Sequence, residues 1–128
     1  MIKRFNPADV AAPMSPYSHG VGVPAGMRTV FVSGQVGVRA DGAVPPTADE
    51  QIEVVWDNIE KVLAEDGMTL SDIVSIRGYL VSRNDVAAYR KSNTARLAGT
   101  KPASTLVVVK ELVAPHLFVE IEVVAVKA

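Results

Sequence analysis

The chain has 128 residues, and its 48% hydrophobic and 21% charged content is typical of a folded globular domain. Its formal net charge is -1, from 13 Lys and Arg against 14 Asp and Glu, so no basic excess indicates a nucleic-acid or anionic-membrane partner. Cysteine is absent and histidine occurs only at His19 and His116, which excludes disulfides and a thiol nucleophile and argues against a metal site. We therefore expect one domain over residues 1–128, with no metal and no cofactor.

The sequence contains no segment typical of membrane insertion. No apolar run approaches the roughly 20 residues that span a bilayer. The basic pair Lys3-Arg4 has no apolar stretch behind it, so we expect no secretion signal. These observations predict a cytoplasmic protein.

Two β-favouring runs near the N-terminus, Ser18–Val23 and Arg28–Gly34, flank the residues Pro24-Ala25-Gly26. A Pro/Gly turn between two such runs is typical of a β-hairpin, which we predict here. The following stretch, Gly37–Pro46, is rich in Gly, Pro and Asp and is predicted to form a loop.

A helix is predicted after this loop. Thr47 and Glu50 have the capping-box spacing, in which the hydroxyl and the carboxylate satisfy free amides at a helix start. Apolar residues then recur at helical spacing and form one stripe, which consists of Ile52, Val55, Trp56, Ile59, Val62 and Leu63. Gly67 follows the last periodic residue and suits a left-handed C-cap. Trp56 belongs to the stripe, and we interpret it as a residue of the core or of a subunit interface.

The second half of the chain is predicted to begin with a strand, Ile73–Val81. A second helix follows, with Asn84 or Asp85 as its cap. This helix runs to about Leu97 and is closed by Gly99. Its apolar stripe is thinner than that of the first helix.

Two further strands, Thr105–Val109 and Phe118–Val126, complete the order β-β-α-β-α-β-β. This order predicts an α+β fold with one sheet and two helices on one face. Leu106–Val109 and Val123–Val126 are apolar on both alternating faces, which indicates strands that are covered on both sides. Because two helices cover only one side of such a sheet, we expect another copy of the chain to cover the other side.

Two glutamates in the last predicted strand could carry chemistry. Glu120 and Glu122 lie two residues apart, so their side chains share a face with Phe118 and Val124. A carboxylate between large apolar neighbours is costly unless it is paired or reaches solvent through a cleft. Burial in a partly dry cleft raises the pKa of a carboxyl group towards neutral pH, which suits a general acid or base. The alternative interpretation is a pair of salt-bridged or rim carboxylates.

A Ser-His-acid hydrolase is a further possibility, with Ser18, Ser33 or Ser104 as its nucleophile. The chain has no Gly-x-Ser-x-Gly pattern, so this reading has little support, and both histidines are interpreted as structural. Arg77 faces outward from a predicted strand and Arg90 lies in the first half of the second helix. Either guanidinium could receive a carboxylate, and a solvated surface position is the alternative for both.

Five short segments resemble blocks of one protein family, in the same order and at the same spacing. They are Met14–Gly20, Phe31–Gln35, Asp57–Leu63, Asn84–Val86 and Val119–Glu122. On these blocks the chain is identified as a member of the reactive-intermediate deaminases, the RidA/YjgF family, whose members are also called L-PSP endoribonucleases. The resemblance covers nearly the whole chain.

The resemblance implies a chorismate-mutase-like α+β fold that assembles as a homotrimer, with small-molecule clefts between neighbouring subunits. In the family's deaminases the first Glu of the last strand positions a water, which attacks an imine or enamine carbon and releases ammonia and a keto acid. The matching residue here is Glu120. A Tyr and a Ser-Gly pair line the same cleft, and the matching positions are Tyr17, Ser33 and Gly34.

One position departs from the family pattern. The family's arginine in Pro-Ala-Arg-Ser clamps the substrate carboxylate, whereas the block here reads Pro102-Ala103-Ser104-Thr105. We expect Ser104 and Thr105 to line the substrate site without a charge. Loss of a charge-assisted hydrogen bond of roughly 1.5–3 kcal/mol weakens binding of a small 2-imino acid by about ten- to a hundredfold. Arg90 stands where the family usually has Asn, and we predict that it points into the cleft and supplies the cation from another wall.

Residues and resemblance together favour a RidA-like hydrolytic deaminase of an imine, an enamine or a related small metabolite, other than the standard 2-aminoacrylate substrate. An intact Glu120 favours this activity. The missing arginine favours the alternative of a non-catalytic small-molecule-binding or protein-stabilising trimer. An endoribonuclease or translation inhibitor is the second alternative, and the near-neutral charge and lack of a basic stripe give it no support.

Overall fold

The computed structural model describes residues 1–128 as six strands, two α-helices and two short 3-10 turns. The strands are β1 (Lys3–Phe5), β2 (Gly20–Gly22), β3 (Arg28–Val36), β4 (Ile73–Leu80), β5 (Ala103–Val108) and β6 (Val119–Lys127). The helices are α1 (Ala48–Ala64) and α2 (Val86–Leu97), and the turns span Leu70–Asp72 and Arg83–Asp85. Neither α1 nor α2 combines the length and the hydrophobicity that a membrane-spanning helix requires.

A four-stranded sheet has the strand order β3-β6-β4-β5. β6 runs antiparallel to both of its neighbours, and β5 runs parallel to β4. Both helices contribute to one core on one face of this sheet, around the buried side chains of Trp56, Ile76 and Ile121. The predicted α+β architecture is therefore confirmed.

The predicted N-terminal hairpin is wrong. β2 pairs antiparallel with β1, a strand that the sequence did not predict, and these two strands form a separate small sheet. β2 consists of Gly-Val-Gly, and a Cβ on Gly20 would overlap the ring of Phe5. The glycines of β2 thus leave room for the Phe5 ring of β1. β3 pairs instead with β6, where Val32 is buried.

The first helix follows its sequence signals closely. Thr47 is the N-cap, and its hydroxyl accepts a hydrogen bond from the amide of Glu50 at 3.3 Å. The predicted stripe is buried except for Val62, which is 38% exposed because the face in contact with the sheet is too narrow to include it. Gly67 has a φ of +70°, which confirms the left-handed C-cap.

The start of α2 differs from its prediction. Asp85 occupies the N-cap position, but its side chain makes no capping hydrogen bond. The hydroxyl of Ser82 instead accepts from the amide of Asn84 at 3.2 Å and begins the 3-10 turn that leads into the helix. Because the 3-10 turn Arg83–Asp85 precedes α2, the capping hydroxyl belongs to Ser82, the residue before that turn. The helix ends at Leu97, as predicted, but its left-handed C-cap is Ala98, with a φ of +47°, and Gly99 follows in left-handed backbone.

The face of the sheet opposite the helices, here called the open face, carries the outward side chains of Phe31, Arg77, Tyr79, Thr105, Val107, Glu120 and Glu122. No helix of this chain covers it. Phe31 is 78% exposed and Val107 is 42% exposed. The apolar character of the strands on both faces thus leaves large apolar side chains in contact with solvent.

Candidate functional site

A pocket of about 170 Å³ lies on the helix side of the sheet, between β5, α2 and the segment that precedes β2. We call it the helix-side pocket, and Tyr17, Arg90, Ser104 and Leu106 line it. Arg90 is the only charged residue of its lining, and the guanidinium has no ion-pair partner. The pocket therefore offers a free cation, several hydroxyls and an apolar wall, a set that suits a small carboxylate.

Tyr17 reaches this pocket because the next residue is fastened to the edge of the sheet. The amide of Ser18 donates to the carbonyl of Pro102 at 3.0 Å, and its hydroxyl donates to the carbonyl of Lys101 at 2.6 Å. Ser18 also forms a parallel bridge with Ala103, at the start of β5. Its hydroxyl is buried and committed to a backbone carbonyl, so Ser18 is not a nucleophile.

Tyr89 adds a buried hydroxyl to the same pocket. Its side chain is 2% exposed, and its hydroxyl has no hydrogen-bond partner within the chain. The hydroxyl lies over Gly78 of β4, where a Cβ would overlap it. Burial raises the pKa of Tyr89 to about 12, so the phenol stays protonated at neutral pH.

A second cavity, of about 350 Å³, opens on the other side of the sheet, and we call it the open-face cleft. Its lining includes Gly34, Tyr79, Glu120 and Glu122, with Glu111 from the loop after β5. It contains three carboxylates and no Lys or Arg. Arg77 lies opposite Glu122 just outside this lining, and three carboxylates against one guanidinium still leave the cleft negative. Its charge is therefore opposite in sign to that of the helix-side pocket, and it favours a cationic group.

Glu120 is half-buried in the open-face cleft, and its carboxylate accepts no hydrogen bond from the chain. It lies against Gly34 of β3, where a Cβ would overlap the carboxylate. A shift in the pairing of β3 with β6 falls between Val32 and Gln35 and brings Gly34 beneath the carboxylate. The absence of a side chain at Gly34 thus leaves the carboxylate free to meet solvent or a ligand.

Tyr79 is a member of this cleft to which the sequence assigned no role. Its hydroxyl donates to Oε1 of Glu122 at 2.6 Å, a short bond to a charged acceptor. That hydrogen bond is the main reason that the pKa of Tyr79 is raised above its ordinary range. Outward strand position was the only available signal, because the contact joins two strands that are distant in sequence.

The predicted site residues do not meet within one chain. Tyr17, Arg90 and Ser104 share the helix-side pocket, whereas Gly34 and Glu120 share the open-face cleft.

The remaining predicted residues lie elsewhere on the open side. Ser33 lines a neighbouring hollow together with Arg77, and Thr105 is exposed opposite Arg77 in the strand register.

His116 is exposed, and its carbonyl accepts a hydrogen bond from Gln51. No group of three or more His, Cys, Asp and Glu residues is arranged to hold a metal ion.

Comparison with known proteins identifies the family. The sequence profile of the family described as Endoribonuclease L-PSP matches residues 8–127. This chain belongs to that family. A RutC family protein of Aquifex aeolicus is 32% identical over 121 residues, which cover 90% of this chain and 91% of that protein.

Two other proteins are similar to this L-PSP family member over most of its length. A protein of Dermatophagoides farinae named 2-iminobutanoate/2-iminopropanoate deaminase is 30% identical over 102 residues, which cover 78% of this chain and 77% of that protein. The crystal structure of a Rid-family protein of unknown function from Yersinia pestis has a TM-score of 0.88, with 31% identity and 97% of each chain covered. The expected RidA/YjgF, chorismate-mutase-like fold is thereby confirmed.

Proposed function

We propose that this protein is a cytoplasmic, RidA-like hydrolytic deaminase that converts small imines or enamines bearing a carboxylate into keto acids and ammonia. The observation that carries the proposal is the pair of oppositely charged cavities. A protonated imino acid is positive at nitrogen and negative at its carboxylate. The open-face cleft suits the first group and the helix-side pocket suits the second.

The two cavities come together when copies of the chain associate. Within one chain they lie on opposite sides of the sheet, so a molecule of a few atoms cannot touch both. In a closed homotrimer the open face of one copy packs against its neighbour and covers the exposed Phe31 and Val107. Each active site then takes Glu120 from one copy and Arg90 from the next.

The reaction needs a general base and a polarised imine. Glu120 takes a proton from a bound water as the water oxygen bonds to the imine carbon, and the electron pair of the C=N bond moves to nitrogen. The resulting carbinolamine loses its hydroxyl proton as the carbon–nitrogen bond breaks. Nitrogen, which already carries the two hydrogens of the protonated imine, leaves as ammonium with that proton and the one carried by Glu120, and a carbonyl remains. Tyr17 and the backbone around Gly34 shape the cleft.

The position of the cation selects the substrate. Ser104 presents only a hydroxyl from β5, whereas Arg90 presents its guanidinium from α2, across the pocket. We propose that Arg90 receives the carboxylate and that Leu106 and its apolar neighbours contact the rest of the ligand. A substrate carboxylate held from the helix lies in a different place from one held at β5, which disfavours the small 2-aminoacrylate type.

Ammonia release from a panel of freshly generated imines, compared between wild type and Glu120→Gln, tests the proposal. We expect the substitution to lower kcat about a hundredfold or more, because it removes the base but keeps the shape. Glu65→Gln is the matched control, since Glu65 is exposed at the C-terminal end of α1. Equal rates for wild type and Glu120→Gln contradict the proposal.

Ser104→Arg is the companion variant. It restores the guanidinium at β5, and we expect it to increase hydrolysis of 2-iminopropanoate relative to wild type. The same measurements separate the alternatives. Carboxylate binding without any ammonia release supports a non-catalytic small-molecule-binding trimer, which the serine at position 104 favours. RNA cleavage that is lost in Glu120→Gln supports an endoribonuclease, although three carboxylates in the cleft repel phosphate.

A further inference from the structure

We propose that Tyr79 is a second catalytic residue of the open-face cleft, whose hydroxyl oxygen accepts one hydrogen of the attacking water while Glu120 accepts the other. Glu122 is the positioning residue that fixes the direction of this hydroxyl. The inference rests on the proposed function and adds a residue to it. It is carried by strand register, a shared cavity and one short hydrogen bond.

The register places the two acceptors side by side. Tyr79 on β4 and Glu120 on β6 are direct partners across the antiparallel pair, so their Cβ atoms lie roughly 5 Å apart. Both line the open-face cleft beside Gly34. A cavity of about 350 Å³ has ample room for a water between them.

The hydrogen bond to Glu122 determines what Tyr79 can do. A phenol has one hydrogen to donate and two lone pairs that accept. The Tyr79 hydrogen is committed to Oε1 of Glu122 at 2.6 Å, so only the lone pairs are available to the cleft. The raised pKa of Tyr79, caused first by that bond, keeps the phenol protonated and the arrangement intact. Tyr79 is therefore an acceptor in the cleft and not an acid.

Two acceptors around one water direct its lone pair. When Glu120 and Tyr79 each take one hydrogen of the water, the oxygen lone pairs point away from both, towards the imine carbon. The proton on the Glu120 side moves to Glu120 as the carbon–oxygen bond forms, and it later leaves on nitrogen. The other hydrogen stays on the new hydroxyl until the carbonyl forms. Tyr79 neither gains nor loses a proton in the cycle.

Tyr79→Phe removes only the acceptor oxygen and tests the kinetic part. We expect kcat to fall about ten- to a hundredfold while KM stays within about twofold, since the water but not the substrate loses a contact. Ser75→Ala is the matched control, because it removes a hydroxyl from the same strand outside the open-face cleft. In a Glu120→Gln background, Tyr79→Phe should have little further effect, because both residues act on one water. An unchanged kcat in Tyr79→Phe, or full additivity with Glu120→Gln, overturns the proposal.

A crystal structure tests the geometric part without any turnover. We expect an ordered water within 3.2 Å of both the Glu120 carboxylate and the Tyr79 hydroxyl in wild type, and its loss in Tyr79→Phe. A wild-type site without this water overturns the assignment of Tyr79. If wild type releases no ammonia from any imine, the proposed function fails. The presence or absence of the ordered water then still tests whether Glu120 and Tyr79 bind one water together.

Discussion

The helix-side pocket and the open-face cleft are built from the same sheet in opposite ways. The pocket is enclosed by α2, β5 and a fastened N-terminal segment, and its single charge is a guanidinium. The cleft is wide and shallow, holds three carboxylates, and lies beside apolar side chains that remain exposed. In the proposed mechanism, one chain supplies the whole binding site for the substrate carboxylate but only part of the catalytic site. Association of chains is therefore part of the chemistry that we propose, as well as a source of stability.

Blocking association should have the largest effect. Phe31→Asp places a charge in the apolar part of the open face, which is costly to bury unpaired. We expect a monomer in sedimentation velocity and ammonia release at background, while carboxylate binding to the helix-side pocket weakens but remains. Val62→Asp is the control, since Val62 is exposed on α1. An active, fully associated Phe31→Asp protein contradicts the role assigned to the open face.

Filling the space beside Glu120 should affect only the cleft. The Cβ of Gly34→Ala overlaps the Glu120 carboxylate and displaces it, so we expect kcat to fall about a hundredfold or more. Carboxylate affinity measured by calorimetry should stay within about threefold of wild type. Gly22→Ala is the matched control, because its Cβ would lie 3.7 Å from the Lys3 Cβ, an ordinary contact. Normal turnover in Gly34→Ala would show that catalysis does not require the Glu120 carboxylate at its position beside Gly34.

Removing the guanidinium should affect only the pocket. Arg90→Ala is expected to raise KM about ten- to a hundredfold with kcat within about threefold, because a charge-assisted contact to the carboxylate is lost. Arg90→Lys should recover part of the affinity through its point charge. Arg83→Ala, at another exposed arginine just before α2, is the control. An unchanged KM in Arg90→Ala would show that the guanidinium of Arg90 does not bind the substrate carboxylate.

The smallest expected effect concerns the buried phenol of the pocket. Tyr89→Phe removes a hydroxyl that has no partner, so stability in urea should rise by about 1 kcal/mol at pH 7. The pKa of Tyr89 is about 12 in the folded chain, above the ordinary 10.0 of a tyrosine, so the unfolded chain loses this proton first as pH rises. Titration of Tyr89 therefore leaves the free energy of unfolding unchanged below pH 10 and lowers it between pH 10 and about pH 12. Wild type should lose more stability than Tyr89→Phe over that interval, and parallel unfolding curves would contradict the assignment.

Local chemistry made most of the fold predictable. The Thr47 cap, the apolar stripe around Trp56 and the left-handed Gly67 act within a few residues, and each has the structure that its pattern predicts. The wrong strand pairing involves distant partners. β2 pairs with β1, where Gly20 leaves room for the Phe5 ring. Local sequence patterns do not predict this contact, because the two residues are far apart in the sequence.

The site was predictable to a smaller extent, for the same reason. The family resemblance pointed to Arg90, Ser104 and Glu120 as one site. The structure places Arg90 and Ser104 in the helix-side pocket, whereas Glu120 lines the cleft on the opposite side of the sheet. Tyr79 lay outside every block. Its bond to Glu122 depends on the register of two strands separated by α2 and β5 along the chain, which only the assembled sheet supplies.

The attachment of Ser18 to the start of β5 has a consequence for how copies can add to one another. β5 is one of the two outer strands of the sheet, and free amides and carbonyls on such a strand allow further strands to pair with it without limit. Ser18 occupies the first of these groups with the chain's own backbone. Addition of strands along this edge is thereby discouraged, which favours the closed ring of copies proposed above, packed through the broad side of the sheet.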